Sequence, residues 1–208
     1  MKILAIDPGL RNLAWCYSEN GVVVDMNRAD IFHGNPINIC DTFTQITAWC
    51  DKHQEMIDRA DVVAIEKQFV DSKLRLSCCL NTVQVVLQCR AYRHHMLVHA
   101  GTIKRIFGTN RGNHRENKQA AIKKATEINP TMFANQSGKL DDMCDAFLIA
   151  QYIWTQFDAE FIQKFSNARV VERVATKTDD GRSDTCDNTG KGGGNEKPVK
   201  YRRTDSSK

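Results

Sequence analysis

Two short apolar runs, each followed at once by an acidic residue, constrain the fold of this chain more than any other feature of its sequence. Residues 3–6 form an uninterrupted apolar run that ends at Asp7, and residues 62–65 form a second run that ends at Glu66. Short continuous apolar runs are typical of strands that are buried on both faces of a sheet. The turn residues Pro8 and Gly9 follow the first run. The sequence therefore predicts two core strands that each deliver a carboxylate at their end.

The segments around these strands predict a mixture of strands and helices. Residues 13–17 form an apolar run and residues 22–26 a mostly apolar one, on either side of Asn20-Gly21, a dipeptide that favours hairpins. Residues 1–27 therefore predict a three-stranded antiparallel meander. Helical periodicity is found over residues 39–57, over 116–128, and from Asp141 or Asp142 to about residue 157, while residues 96–98 predict a short strand. This order of elements predicts an α/β protein.

The composition fits one domain that is followed by a segment of different character. The chain has 208 residues, of which 41% are hydrophobic, and periodic patterning stops near residue 166. Residues 167–208 contain a triple glycine and carry ten basic and seven acidic side chains. We therefore predict a domain over residues 1–166 and a disordered basic tail over residues 167–208. The tail is either inert, a weak phosphate-binding segment, or a nuclear-targeting signal through its basic cluster at residues 200–203.

Several sequence features indicate an intracellular protein. No apolar run is long enough for a signal peptide or a membrane span, and we expect no membrane association. The eight cysteines include no C-x-x-C pair, and we expect reduced thiols rather than disulfides. No G-x-x-x-x-G-K-[ST] sequence occurs, so a nucleotide cofactor is not expected.

Positive charge is concentrated in one stretch of the chain. Positions 104–124 contain a single acidic residue, Glu116, and seven basic residues. They are Lys104, Arg105, Arg111, Arg115, Lys118, Lys123 and Lys124. A solvated helix face usually mixes both signs, so this excess favours contact with the phosphate groups of a nucleic acid over an ordinary solvated surface.

A second unusual stretch, residues 76–89, carries no charged side chain. Its polar residues at helical spacing are Ser77, Asn81, Gln84 and Gln88. A helix on the surface normally has a charged outer face, so a helix this poor in charge is expected to be covered on most sides. The cover is either a second copy of the protein or the remainder of its own chain.

Two further acids, Asp142 and Asp145, lie three residues apart at the start of the last predicted helix, which places both on one face. A helix N-terminus tolerates negative charge, which accounts for Asp141 and Asp142 in a purely structural role. Asp145 lies within an apolar stretch, where an unpaired carboxylate is costly. A bound cation would resolve this conflict, and four converging carboxylates suit a pair of Mg²⁺ or Mn²⁺ ions that act on a phosphodiester. Asp141, four residues before Asp145, is an alternative ligand to Asp142.

Three motifs in this order resemble those of the RuvC-type Holliday junction resolvases of the ribonuclease H-like superfamily. They are Ile6-Asp7-Pro8-Gly9, Ile65-Glu66-Lys67-Gln68 and Asp142-Met143-Cys144-Asp145-Ala146, and the resemblance extends over residues 1–157. The sequence Lys139-Leu140-Asp141-Asp142 is similar to the poxvirus and large-DNA-virus branch. The first motif departs from that branch and is nearer to the bacterial version.

The resemblance implies a ribonuclease H-like fold with a central mixed sheet, in which the antiparallel meander is followed by parallel strands and helices cover both faces. It also implies a homodimeric endodeoxyribonuclease that resolves four-way DNA junctions by paired, symmetric, Mg²⁺-dependent nicks in DNA recombination, repair or viral genome processing. A viral protein of this kind is expected in the host cytoplasm or nucleus.

The resemblance assigns roles to individual residues as well. Asp7, Glu66, Asp142 and Asp145 are expected to hold two Mg²⁺ ions, for which Mn²⁺ can substitute. Lys118 is expected near the scissile phosphate, and Lys104 is a second candidate there. Two alternatives stay open, namely a ribonuclease H-like nuclease that acts on RNA–DNA hybrids, flaps or other branched DNA, and a non-catalytic DNA-binding module.

Overall fold

A five-stranded mixed sheet forms the centre of the computed structural model, which describes residues 1–32, 38–69, 74–134 and 140–157. Its strands are β1 (Lys2–Asp7), β2 (Leu13–Glu19), β3 (Val22–Ala29), β4 (Val62–Glu66) and β5 (His95–Val98), in the order β3-β2-β1-β4-β5. β1 pairs antiparallel with β2 and β2 with β3, whereas β1 pairs parallel with β4 and β4 with β5. The predicted meander followed by parallel strands is confirmed.

The hairpin between β2 and β3 follows from its two central residues. Asn20 and Gly21 both have positive φ angles, 50° and 79°. Two consecutive residues in this region give a turn whose twist matches that of the flanking strands, and an Asn-Gly pair adopts it at low cost. This turn places β3 at the edge of the sheet, next to β2.

Seven helices are found within the described ranges. They are α1 (Ile39–Lys52), α2 (Gln54–Arg59), α3 (Leu74–Arg90), α4 (Ala100–Ile106), α5 (His114–Ile128), α6 (Pro130–Ala134) and α7 (Asp141–Gln156). Side chains alternate along β1, so that Ile3 and Ala5 pack in the core with α5 and α7, while Leu4 and Ile6 pack in the core with α1 and α3. Helices therefore cover both faces of the sheet, and the predicted fold class is confirmed.

The structure corrects several predicted element bounds. The helix predicted over residues 39–57 is two helices, because the chain departs from helical geometry at His53, whose ring Nδ1 lies 2.8 Å from the Trp49 carbonyl oxygen. α5 begins two residues earlier than predicted, since the side chain of Asn113 accepts a hydrogen bond from the Glu116 N–H and caps the helix. The short helices α4 and α6 were not predicted. α4 contributes only one buried side chain, Ile103, which is too little to give a periodic pattern.

Other sequence predictions concern cysteines, membranes and the tail. Each of the seven cysteines in the described ranges is a free thiol. None of the described helices is long and apolar enough to cross a membrane. The predicted tail over residues 167–208 lies outside the described residues.

Candidate active site

Asp7 and Glu66 lie at the same edge of the sheet because β1 and β4 are parallel neighbours. Ile6 pairs with Ile65 in the register of the two strands, so the acid that follows each of them leaves the sheet at the same level. The chain turns sharply after Asp7, and a Cβ atom at Gly9 would lie 2.7 Å from the carbonyl oxygen of Asn12. Glycine is therefore required at position 9 to bring the chain back into β2 directly beside Asp7.

Helix α7 brings the other two predicted acids to this edge. The helix buries Phe147, Leu148 and Ile149 against the sheet, and Asp142 and Asp145 lie near its N-terminus. Both are half-buried, as are Asp7 and Glu66. Three separate elements of the fold thus contribute carboxylates to one place.

A pocket of about 200 Å³ encloses these groups. It is lined by the four predicted acids Asp7, Glu66, Asp142 and Asp145, by the two predicted lysines Lys104 and Lys118, and by Ala100, Ile103, Thr109, His114 and Ile149. The structure therefore brings together acids that are up to 138 positions apart in the sequence, along with both candidate phosphate-binding lysines.

The crowding of acids in the pocket changes their proton affinity. Burial, followed by the charge of Asp145, raises the pKa of Glu66 to about 7, with Lys104 acting in the opposite direction. Burial also raises the pKa of Asp145 to about 6, with Lys104 opposing and Asp142 adding to the shift. The pKa of Asp7 is raised well above its usual range by burial and by the charges of Glu66, Asp145 and Asp142. Each acid thus makes its neighbours harder to ionise, which is typical of functional sites.

Lys118 supplies positive charge at the edge of this pocket. Its ammonium group donates a hydrogen bond to the carboxylate of Asp141 and lies 3.7 Å from Oδ1 of Asp142. Partial burial lowers the pKa of Lys118, but the bond to Asp141 and the nearby acids outweigh burial, so the pKa lies above its ordinary value. Asp141 itself is buried and does not line the pocket. The structure thus associates Asp141 with Lys118, and it places Asp142 among the carboxylates that line the pocket.

The pocket has the donor chemistry of a divalent metal site. Within the described ranges, no three His, Cys, Asp or Glu side chains are arranged so that they could hold a metal ion in this conformation. Four converging carboxylates, of which Asp7, Glu66 and Asp145 have raised pKa values, nevertheless fit Mg²⁺ or Mn²⁺, because a divalent cation replaces the protons that such acids otherwise retain. The expected pair of ions stays a prediction.

The structure divides the seven predicted DNA-binding residues between different surfaces. Lys104 and Lys118 line the acidic pocket, whereas Arg111, Lys123 and Lys124 line a separate pocket of about 550 Å³ on the other side of α5. Arg105 and Arg115 are exposed. The second pocket also contains Glu116 and Glu127, and Thr109 lines both pockets. The basic stretch is therefore two adjoining surfaces instead of one continuous face.

Two pocket residues were missed in the sequence. His114 lies four residues before Lys118, a spacing that places both on one face of α5, so the signal was available. Thr109 lies in the loop between α4 and α5, where its N–H donates to the Lys104 carbonyl oxygen at 2.8 Å. Loop residues of this kind carry no periodic signal.

The chain has a mixed α/β fold of the ribonuclease H-like type, with an acidic pocket at the carboxyl ends of two parallel strands. Among solved structures, the chain is similar to Thermus thermophilus RuvC, with 14% identity, a TM-score of 0.54, and coverage of 74% of this chain and 96% of that one. For T. thermophilus RuvC in complex with a Holliday junction substrate, the identity is 14% and the TM-score is 0.56, and the match covers 74% of this chain and 95% of that one. The yeast mitochondrial Holliday junction resolvase Ydc2 is 13% identical to this chain with a TM-score of 0.50, and the match covers 85% of this chain and 83% of that one.

At this level of identity the likeness establishes the fold. No protein-family model matches the sequence, and no curated protein matches it. The predicted likeness to RuvC is confirmed as a likeness of fold, whereas the closer resemblance to the poxvirus branch stays a prediction.

Proposed function

We propose that this chain is a structure-selective endonuclease that resolves four-way DNA junctions by metal-dependent hydrolysis. The observation that carries the proposal is the pocket in which Asp7, Glu66, Asp142 and Asp145 meet at the edge of a RuvC-like sheet. Acids that raise one another's pKa destabilise a fold, and a site that only bound DNA would gain nothing from negative charge beside phosphates. A catalytic role explains the cluster.

Each side chain of the pocket has a role in this reaction. The four carboxylates are the metal ligands, and Mg²⁺ ions bound there would supply an activated water and neutralise charge on the leaving 3′ oxygen. Lys118 neutralises charge on the scissile phosphate, because its ammonium group is held at the edge of the pocket by Asp141. Lys104, which also lines the pocket, is the second cation available to the phosphate.

The adjoining basic pocket supports contact with DNA beyond the scissile phosphate. Thr109 lies between the two pockets, so a strand that leaves the acidic pocket can continue along Arg111, Lys123 and Lys124. Such contacts to the phosphate backbone position the substrate without reading its bases. Selectivity for a junction then comes from the shape of the DNA.

A homodimer would account for paired nicks. The predicted dimer helix corresponds to α3, which exposes Leu76 and Val85 to solvent and packs against α1, where Ile39 and Phe43 are also exposed. We propose that a second copy covers this apolar surface. A two-fold symmetric dimer presents two identical acidic pockets to two strands of the same polarity, which yields symmetric cuts.

Cleavage assays on labelled substrates test the proposal. The protein is incubated with a four-way junction, a linear duplex and an RNA–DNA hybrid, in Mg²⁺ or in EDTA, and the nicks are mapped. We expect symmetric nicks in the junction with Mg²⁺ only. Preferential cleavage of the hybrid or of flaps would identify a ribonuclease H-like enzyme of different substrate class, and binding without cleavage would identify a DNA-binding module.

A further inference from the structure

The row of uncharged polar residues on α3 is directed into the protein. Ser77 and Gln84 are buried, whereas the exposed side chains of the helix include Leu76, Val85 and Cys89. The sequence had indicated only that this helix is covered on most sides. The structure adds that its polar row meets the segment after β4 and the strand β5.

Gln84 and Gln88 form a continuous chain of hydrogen bonds in this region. The backbone N–H of Gln68 donates to Oε1 of Gln84 at 2.7 Å, and Nε2 of Gln84 donates to Oε1 of Gln88 at 3.1 Å. Nε2 of Gln88 lies 3.2 Å from Nε2 of His95. The backbone N–H of Gln68 can only donate, so the side-chain amide of Gln84 must present its oxygen to it and its nitrogen to Gln88. The amide of Gln88 is oriented in turn, with its oxygen toward Gln84 and its nitrogen toward His95. Nε2 of His95 is therefore the acceptor of the last hydrogen bond.

The start of this chain lies two residues after Glu66. The N–H of Lys67 donates to the Val98 carbonyl oxygen at 2.8 Å, and the N–H of Gln68 donates to Gln84. The two peptide groups that follow Glu66 are therefore held by different elements, the first by β5 and the second by α3. Together they fix the direction in which the strand ends.

We propose that Gln84 is a positioning residue for Glu66. By holding the peptide of Gln68, it fixes the backbone that aims the Glu66 carboxylate into the acidic pocket. This inference rests on the proposed function in one respect, the assignment of Glu66 as a metal ligand. Removal of a group that orients a metal-ligating residue typically changes metal affinity or activity by about 10- to 100-fold.

Two substitutions at Gln84 separate positioning from packing. Gln84→Met keeps a similar shape but offers no good acceptor to the Gln68 N–H, whereas Gln84→Glu keeps the acceptor and allows Gln88 to turn its amide and donate. We expect Gln84→Met to weaken Mn²⁺ binding, measured by electron paramagnetic resonance without DNA, by about tenfold. We also expect it to lower kcat on the junction by a similar factor, to leave junction affinity in EDTA within about twofold, and to accelerate hydrogen exchange of the Gln68 amide. Gln84→Glu should restore these values.

Val83→Ala is the matched control for a loss of packing, because Val83 is fully buried on the same helix and takes no part in the chain of hydrogen bonds. It should lower thermal stability and leave Mn²⁺ affinity unchanged. The inference is overturned if Gln84→Met binds Mn²⁺ as the wild type does, if Val83→Ala weakens Mn²⁺ binding equally, or if the wild type binds no Mn²⁺. If the wild type cleaves no DNA while Gln84→Met still weakens Mn²⁺ binding, the proposed function fails and the positioning role stands.

Discussion

The ammonium group of Lys118, in the second turn of α5, donates a hydrogen bond to Asp141, the first residue of α7. The bond joins the helix that carries much of the basic stretch to the helix that carries Asp142 and Asp145. Asp141 is only 7% exposed, and its carboxylate is ion-paired with the ammonium group of Lys118. The pair therefore fixes where the positive charge stands relative to the acids.

Replacement of Asp141 by Asn should act through Lys118. We expect Asp141→Asn to lower kcat about 10-fold and Lys118→Ala to lower it about 100-fold. The double variant should have a kcat close to that of Lys118→Ala alone, because both substitutions remove the same interaction between Lys118 and Asp141. Lys52→Ala, an exposed lysine on α1 that lines neither the acidic nor the basic pocket, is the control and should leave kcat unchanged. Single-turnover cleavage of the junction measures these rates. A loss for Asp141→Asn as complete as that for Asp142→Asn would instead make Asp141 a metal ligand.

Neutralisation of either Asp7 or Asp145 should separate binding from cleavage. Asp7→Asn and Asp145→Asn are expected to abolish cleavage because each removes a metal ligand. Junction affinity in EDTA should be equal or higher, since one negative charge beside the phosphates is lost. Gel-shift titration and a cleavage assay on the same preparations provide both values. Cleavage in Mg²⁺ by either variant at the wild-type rate would contradict the metal assignment.

The stability of the metal-free protein should fall as the pH rises from about 4 to about 7. Burial and neighbouring acids raise the pKa of Glu66 from 4.5 to about 7 and that of Asp145 from 3.8 to about 6. In this interval the folded protein binds more protons than the unfolded chain, so the free energy of unfolding decreases with pH. Mg²⁺ should raise Tm at pH 7.5 and have little effect at pH 5, where protons compete with it.

Thermal unfolding at a series of pH values, with and without Mg²⁺, checks this expectation. Glu66→Gln is the informative comparison, because it removes one of the titrating groups. Its stability should depend less on pH than that of the wild type and should respond less to Mg²⁺. Identical pH profiles for the two proteins would show that Glu66 does not titrate in this range.

A charge on the outer face of α3 should disrupt the proposed dimer. Val85 is 53% exposed on α3, and Val24, on the edge strand β3, is 61% exposed. Val85→Glu should yield a monomer that nicks one strand at a time, while Val24→Glu should leave the dimer intact. Sedimentation velocity reports the oligomeric state. A wild-type protein that is monomeric at micromolar concentration, or two variants that behave alike, would remove α3 from the interface.

Much of the sheet and of the acidic site could be predicted from the sequence, because both depend on strong local signals. Continuous apolar runs identified β1 and β4, and a parallel arrangement of such strands brings Asp7 and Glu66 to one edge. The i, i+3 spacing of Asp142 and Asp145 predicted that both side chains lie on the same face of the last helix. These signals are local patterns of hydrophobicity and spacing, which can be recognised without knowledge of the tertiary fold.

The remaining features depend on contacts between distant segments. The bond between Lys118 and Asp141 joins residues 23 positions apart, and the contact between Gln68 and Gln84 involves a backbone N–H that no sequence pattern marks. The division of the basic stretch between two pockets requires the position of the α4–α5 loop, in which Gly108 and Gly112 have positive φ angles. Each of these features is set by packing rather than by local preference.

The most direct test of the account is the location of Mn²⁺ in crystals of the protein, from the anomalous scattering of the ion. We predict Mn²⁺ within coordinating distance of the carboxylates of Asp7, Glu66, Asp142 and Asp145, with Lys118 still beside Asp141. Crystals of Asp145→Asn should lose this signal in whole or in part. Saturating Mn²⁺ that leaves the acidic pocket without an ion would contradict the central claim that these acids form a metal-dependent nuclease site.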